Sequence, residues 1–139
     1  MEHAKAGDSV FLRLVPGEST LEKLLEAARL YGAETLVIEG GLGAFQRVEL
    51  AYFVEKGVYE SRVFHDVELL SLNGVVSRHE SDYFAHVHAV ISDKDMKAWG
   101  GHLKEGIVRV THEIVLRLSP AKLLRREDPD SGLLGLHPT

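Results

Sequence analysis

The chain has 139 residues, 45% hydrophobic and 27% charged, a composition that suits one soluble domain with a single core. It has no cysteine, which excludes disulfides and thiolate metal sites, so any metal must bind nitrogen or oxygen ligands. A net charge of -5 argues against a wide nucleic-acid surface, although it does not exclude a local basic patch.

The termini give the expected location and domain limits. The N-terminal segment lacks the apolar core of a signal peptide, and no apolar run approaches the roughly 20 residues that cross a bilayer. We therefore expect a cytoplasmic protein with no membrane partner. We treat residues 1–139 as one domain, with a core at 8–119 and a C-terminal tail at 120–139.

The first predicted elements are a strand and a helix. Residues 10–14 alternate as a strand would, and Pro16-Gly17 ends it. Ser19 is the expected N-cap, with Glu22 completing a capping-box pattern, and Gly32 is the expected C-terminal stop. The apolar stripe of this amphipathic helix consists of Leu21, Leu24, Leu25 and Ala28.

A glycine-rich stretch follows the next strand. Residues 35–39 are apolar and β-branched, as in a buried strand, and residues 40–45 then carry three glycines. A dinucleotide-binding loop is one interpretation, but Gly41-x-Gly43 lacks the third glycine and residues 46–53 resemble a strand. The alternative is a tight turn that only glycine tolerates.

The remainder of the core is rich in predicted strands. Lys56-Gly57 predicts a hairpin turn, and residues 67–77 form a strand interrupted by a bulge or bend at Asn73-Gly74. Residues 107–118 form the last long strand. Its expected core face consists of Val108, Val110, Ile114, Leu116 and Leu118, with His112 as a buried histidine on the same face.

Three histidines form the candidate site. Residues 83–91 read as a strand, so His86 and His88 leave by the same face with Cβ atoms roughly 7 Å apart. His102 follows Gly100-Gly101, whose freedom to adopt positive φ can turn a third imidazole toward the pair. Three imidazoles and an open position are typical of catalytic zinc. The alternatives are hydrogen-bonded surface histidines and ordinary turn glycines.

Two other groups carry candidate roles. Glu113 is a candidate catalytic residue that could orient a ligating imidazole or act as a general base, the alternative being a salt bridge with Arg109 or Arg117. The tail is expected to be exposed, unless its leucines dock on this or a neighbouring subunit. The leucines concerned are Leu133, Leu134 and Leu136.

The order of the motifs resembles the plant-and-prokaryote-conserved (PPC) domain. The motifs are Gly41-x-Gly43, the strand 50–53, residues 68–72 with Gly74, His86-x-His88, residues 100–103 and Thr111-x-Glu113. This resemblance implies a homotrimer and an α+β fold, in which a strongly curved, mainly antiparallel sheet packs against one N-terminal helix and short helical segments. It also implies zinc bound by His86, His88 and His102.

The resemblance leaves the function open. Stand-alone prokaryotic members of the family are often labelled as predicted DNA-binding proteins, but the AT-hook of the plant proteins is absent here. The fold group also resembles acetolactate decarboxylase, a zinc lyase that uses three histidines, although fold does not settle function.

Three hypotheses follow. The first is a trimeric zinc-binding domain with a small-ligand pocket, whose enzymatic version is a lyase acting on a small carbonyl acid, with Glu113 as proton carrier. The second is a DNA-associated regulatory or architectural protein. Its candidate contacts are Arg117, Lys122, Arg125 and Arg126. The third is an oligomerisation domain whose histidines only form hydrogen bonds.

Overall fold

The computed structural model describes residues 1–139 as eight strands and one helix. The elements are β1 (Glu2–Ala6), β2 (Ser9–Leu14), α1 (Thr20–Tyr31), β3 (Thr35–Glu55), β4 (Val58–His79), β5 (Asp82–Ser92), β6 (Ala98–Ser119), β7 (Leu123–Glu127) and β8 (Leu134–Pro138). Strands hold 71% of the residues and the helix 9%, so the expected α+β fold with several helical segments is wrong. The helix is neither long nor apolar enough to span a membrane.

The main sheet is antiparallel and curls back on itself. Its strand order is β1-β2-β6-β3-β4-β5, and β5 also pairs with β6. The four longest strands therefore form a closed ring. This closure places His88 opposite His102 and, on the other side of β6, places His102 opposite Ala51.

The glycine-rich stretch is part of β3 rather than a turn, which corrects the turn expectation and leaves no nucleotide loop. Residues 40–43 pair with β6, so they continue the strand on that side of β3. A Cβ on Gly43 would lie 1.9 Å from the Thr111 carbonyl oxygen, at a φ of 147°. Gly43 thus permits the close approach of β3 and β6. The local sequence alone does not tell such a glycine from one in a turn.

The strand continues through Asn73-Gly74, although its ladder with β3 stops at Gly74 and resumes at Leu69. The two residues pair regularly with His88 and Val87, and the register shift in the ladder with β5 lies between Leu69 and Ser71. A Cβ on Gly74 would lie 2.2 Å from the carbonyl oxygen of His86. This glycine therefore lets β4 pack tightly against the strand that carries two of the histidines.

The helix forms as its capping signals predict. The Ser19 side chain accepts a hydrogen bond from the Glu22 amide at 3.4 Å, and Gly32 adopts the left-handed conformation with φ 58°. Leu24, Ala27 and Ala28 are fully buried in the core beneath the helix. The helix thus covers one face of the sheet.

The predicted core face of the last strand is correct except at Val110, whose side chain is 62% exposed. Gly43 pairs with His112 but Phe45 pairs with Val108, so β6 has extra residues in this interval and its alternation is broken. His112 is buried, and its Nδ1 lies 3.1 Å from the Thr20 hydroxyl oxygen.

Most residues of the C-terminal segment are exposed, as expected, but the segment is folded. β7 and β8 form an antiparallel hairpin that packs beside β4. Arg125 on β7 is 8% exposed, and Leu133 and Leu134 line a groove next to the histidines. Of the two expectations for the tail leucines, docking on their own subunit therefore describes Leu133 and Leu134.

Candidate metal centre

Two of the three histidines lie on β5, as alternation along a strand requires. His86 and His88 project from the same face, and their Nε2 atoms are 3.2 Å apart. Both side chains are exposed, while Val87 between them is buried in the core. The hydrophobic side chain on the opposite face thus fixes the face from which the two imidazoles leave.

The third histidine comes from the strand paired with β5. His102 on β6 is directly opposite His88, and its ring centroid is 5.5 Å from that of His86 and 5.6 Å from that of His88. One ring nitrogen from each histidine lies within 4.8 Å of the other two. The structure therefore brings together the three imidazoles that the sequence singled out.

The glycines before His102 act differently from the expectation. Gly100 and Gly101 are within β6 and do not have positive φ. A Cβ on Gly101 would lie 2.8 Å from the Ala51 carbonyl oxygen, so this glycine lets β6 approach β3 closely. The strand ladder, rather than a turn, aims His102 at the other two rings.

The surroundings favour the neutral form of two of the imidazoles. Partial desolvation of the exposed ring, followed by the charge of neighbouring His88 and Arg125, lowers the pKa of His86 below its usual value. Burial is also the main cause of the lowered pKa of His102, with His86, His88 and Lys104 adding to it. Because a metal binds the unprotonated ring, these shifts favour the form that can act as a ligand.

The donor set fits a metal ion. Tetrahedral zinc with Zn–N bonds of about 2.0–2.1 Å needs ligand nitrogens about 3.3 Å apart. The His86–His88 separation is close to this value, and small side-chain rotations would bring His102 to it. The triad could therefore bind a metal through three nitrogens, with a further position left open.

A groove of about 770 Å³ opens beside the triad. Its walls are mostly apolar and aromatic and contain no Asp or Glu. They include Tyr52, Phe53, Tyr59, Phe84, Leu133 and Leu134. Besides the histidines, Asn73 is a polar residue of the wall. The groove could therefore hold the apolar part of a ligand next to the three imidazoles.

The structure places Glu113 elsewhere. The strand path from His102 to Glu113 is roughly 36 Å at about 3.3 Å per residue. Glu113 is exposed and lines a second groove of about 810 Å³, opposite Arg13 in the β2–β6 ladder. Within one chain, it is not brought to the histidines.

The expected salt bridges of Glu113 are also absent. Arg109 pairs with Asp66 at 3.6 Å, and Arg117 pairs with Glu39 at 2.8 Å.

The C-terminal hairpin is the part of the site that sequence reasoning missed. Arg125 lines a small cavity of about 250 Å³ together with His86 and His88. The basic cluster predicted from Lys122, Arg125 and Arg126 is therefore not a continuous surface, because Arg125 points inward. Apolar leucines in a nominal tail were the available signal, but they did not specify a docking position.

These features define a small antiparallel β-domain with a three-histidine candidate metal centre. Residues 1–119 match the model of the Plants and Prokaryotes Conserved (PCC) domain family. The chain belongs to this family, which confirms the resemblance seen in the sequence.

Solved structures show the same fold. A plant- and prokaryote-conserved (PPC) protein from Pyrococcus horikoshii is 29% identical with a TM-score of 0.82, covering 93% of this chain and 92% of its own. A metal-containing protein from Archaeoglobus fulgidus is 28% identical with a TM-score of 0.83, covering 95% and 94%. A protein from Bacteroides thetaiotaomicron, named as a candidate DNA-binding protein, is 23% identical with a TM-score of 0.90, covering 99% and 96%. At that identity the likeness shows the fold alone.

Two further relatives are longer proteins, of which this chain covers only a part. The bifunctional protein GlmU from Synechococcus sp. (strain JA-2-3B'a(2-13)) is 30% identical over 128 residues, which are 91% of this chain but only 19% of that protein. The chain thus spans about a fifth of this relative's length. An alpha-acetolactate decarboxylase from Bacillus subtilis is 16% identical with a TM-score of 0.53, covering 78% of this chain and 50% of its own. The distant likeness expected from the sequence is present at the level of fold.

Proposed function

We propose that this PPC-family domain binds zinc through His86, His88 and His102 and holds a small ligand in the adjoining groove. The observation that carries the proposal is the convergence of three ring nitrogens within 4.8 Å of one another. The metal-containing protein from Archaeoglobus fulgidus, at 28% identity, supports it.

Zinc suits this donor set. Imidazole nitrogen is a preferred ligand of zinc, whereas Mg²⁺ and Ca²⁺ prefer oxygen ligands such as carboxylates. The walls of this groove contain no Asp or Glu that could supply a carboxylate. A bound zinc with an open position would polarise a ligand oxygen or lower the pKa of bound water. The chain would contribute neutral nitrogen ligands and apolar walls that limit access of water.

Metal analysis tests the proposal. Protein purified without a nickel column and then incubated with zinc should retain about one equivalent per chain after desalting, as expected for a three-histidine site. The double variant His86→Ala/His88→Ala should lose it. His65→Ala is the matched control, because His65 is an exposed histidine on β4 outside the triad. Less than about a tenth of an equivalent in the unmodified protein would refute the proposal.

We also propose that residues 1–139 act as one domain that assembles into a homotrimer, as the family resemblance implies. The groove lined by Phe11, Leu42 and Leu70 supports this assembly, because these apolar side chains are 51%, 54% and 53% exposed in the single chain. Burial against a neighbouring subunit would remove them from water.

The alternative functions have less support. A DNA-associated role has the names of two structural relatives in its favour, but Arg117 is paired with Glu39 and Arg125 is buried. A lyase would require a proton carrier near the metal, and Glu113, the residue predicted for that role, lies in the other groove. A mobility-shift assay at low salt with duplex DNA tests the first alternative, since absence of binding there would exclude it.

A further inference from the structure

The C-terminal hairpin holds a buried arginine beside the histidine triad. Arg125 Nε donates a hydrogen bond to the Ser77 hydroxyl oxygen at 3.1 Å, and its Nη1 donates to the Leu134 carbonyl oxygen at 3.2 Å. The guanidinium carbon is 5.0 Å from the centre of the Phe84 ring. These contacts from β4, β5 and β8 fix the guanidinium in position.

This arginine lacks the anionic partner that its burial calls for. Six other arginines, all more exposed, form ion pairs with carboxylates: Arg13, Arg29, Arg47, Arg78, Arg109 and Arg117. Arg125 has none, and its Nη2 has no hydrogen-bond acceptor in the chain. A charge with little exposure gains from a paired anion, and Nη2 is open to solvent, so an anion from outside can reach it.

The free side of Arg125 faces the triad. His86, His88 and Arg125 line the same cavity of about 250 Å³. The two histidines also line the larger groove, whose apolar wall includes Tyr52, Phe53 and Leu133. His86 and His88 thus border both the small cavity that holds Arg125 and the larger groove with the aromatic and aliphatic wall.

We propose that the groove binds a small organic carboxylate, whose acid group pairs with the Arg125 guanidinium while its apolar body lies against the aromatic wall. The planar guanidinium matches a carboxylate through two parallel hydrogen bonds. The inference deepens the proposed function, since it names the ligand class of the same groove. Arg125 lies in residues 120–139, outside the region that matches the family model, so a segment beyond the matched domain supplies the anion-binding residue.

Calorimetric titration with benzoate tests the proposal, using zinc-loaded and metal-free protein in separate experiments. Benzamide has the same shape without the charge, and acetate has the charge without the ring. Benzoate should bind at least tenfold more tightly than either. Equal binding of benzoate and benzamide would refute the proposal on the unmodified chain, without the need for any variant.

Variants assign the effect to one side chain. Arg125→Gln should weaken benzoate binding at least tenfold. The affinity of Arg125→Lys for benzoate should lie between those of Arg125→Gln and the unmodified protein, because lysine keeps the charge but lacks the planar guanidinium. Arg126→Gln is the matched control, since the neighbouring side chain is exposed. Unchanged affinity in a folded Arg125→Gln protein would overturn the assignment.

The two proposals fail separately. If the chain retains zinc but no benzoate, the organic-carboxylate proposal is wrong and the metal site stands. If it retains no zinc, the metal proposal is wrong, and the metal-free titration still decides on Arg125. Binding of benzoate that Arg125→Gln abolishes supports the arginine site, and absence of binding refutes it.

Discussion

Adjacent glycines before His102 face different surroundings. A Cβ on Gly101 would lie 2.8 Å from the Ala51 carbonyl oxygen, which is backbone and cannot rotate away. A Cβ on Gly100 would have its nearest contact at 3.4 Å, an ordinary van der Waals distance. Only one of the two positions therefore requires the absence of a side chain.

We expect Gly101→Ala to push β6 away from β3 and to lower the free energy of unfolding by about 1–3 kcal/mol. It should also weaken zinc binding, because the shift would move His102. Gly100→Ala should change stability by no more than about 0.5 kcal/mol. Urea unfolding of both variants checks this, and equal stabilities would contradict the proposed close approach.

His112 is a buried histidine without a role in the candidate site. Burial lowers its pKa to about 4 from 6.5, with the Ala44 backbone opposing the shift only in part. Its Nε2 has no hydrogen-bond partner. The folded chain therefore holds this ring neutral, whereas the unfolded chain protonates it more readily.

This difference predicts that stability depends on pH. Because the pKa is lower in the folded state, the contribution of His112 is fully present above about pH 6.5 and is lost as pH falls toward 4, by up to about 3 kcal/mol. His112→Gln should remove that dependence. The pKa values of His86 and His102 are also lowered, so both histidines add to the pH dependence of the unmodified protein and of the variant. The difference between the unfolding free energies of these two proteins therefore isolates the contribution of His112. Parallel curves across this range would contradict the prediction.

At the scale of residues, the triad could be predicted because strand alternation fixes the His86-x-His88 pair locally. The residues that complete the site were less accessible. Arg125 is 37 positions away from His88 in the sequence. The C-terminal hairpin brings Arg125 to the triad, and the sequence does not show where that hairpin packs. The candidate role of Glu113 came from its place in the strand, which does not reveal how far the strand carries it from the triad.

At the scale of elements, local signals predicted the helix well and the long strands poorly. Ser19 and Gly32 are capping residues whose effects act within one helical turn. Gly43 of β3, by contrast, is required because the Thr111 carbonyl of β6 lies close to it, and Thr111 is far away in sequence. A glycine indicates a turn and a close contact between strands equally well. The sequence therefore predicted two strands where the structure has the single strand β3 of 21 residues.

The C-terminal hairpin makes an element-scale prediction. A chain that ends at Lys122 keeps all three histidines and the Ala121 carbonyl that accepts a hydrogen bond from Thr35, but it loses Arg125 and the leucines of the groove. We expect it to fold, to bind zinc, and to lose roughly 2 kcal/mol of stability through lost apolar burial. Thermal unfolding and metal analysis check both parts. Loss of zinc from a folded truncated protein would show that the hairpin supports the triad.

At the scale of the whole molecule, the strand order brings exposed apolar side chains of β2 next to those of β3 and β4. Phe11 on β2, Leu42 on β3 and Leu70 on β4 line one groove, although they come from separate parts of the chain. Each would look like an isolated surface residue in the sequence. Only the strand order brings them together into one groove, which is the face that the proposed homotrimer would bury.

This surface gives the test of assembly. Size-exclusion chromatography with light scattering should show about three times the chain mass of 15.4 kDa. Leu70→Asp should shift the protein toward the monomer, because it would bury an unpaired carboxylate at the interface. Leu30→Asp is the matched control, since Leu30 is also 54% exposed but lies on α1 away from this groove. A trimer that persists in Leu70→Asp would place the interface on another face, and a monomeric unmodified chain would refute the assembly itself.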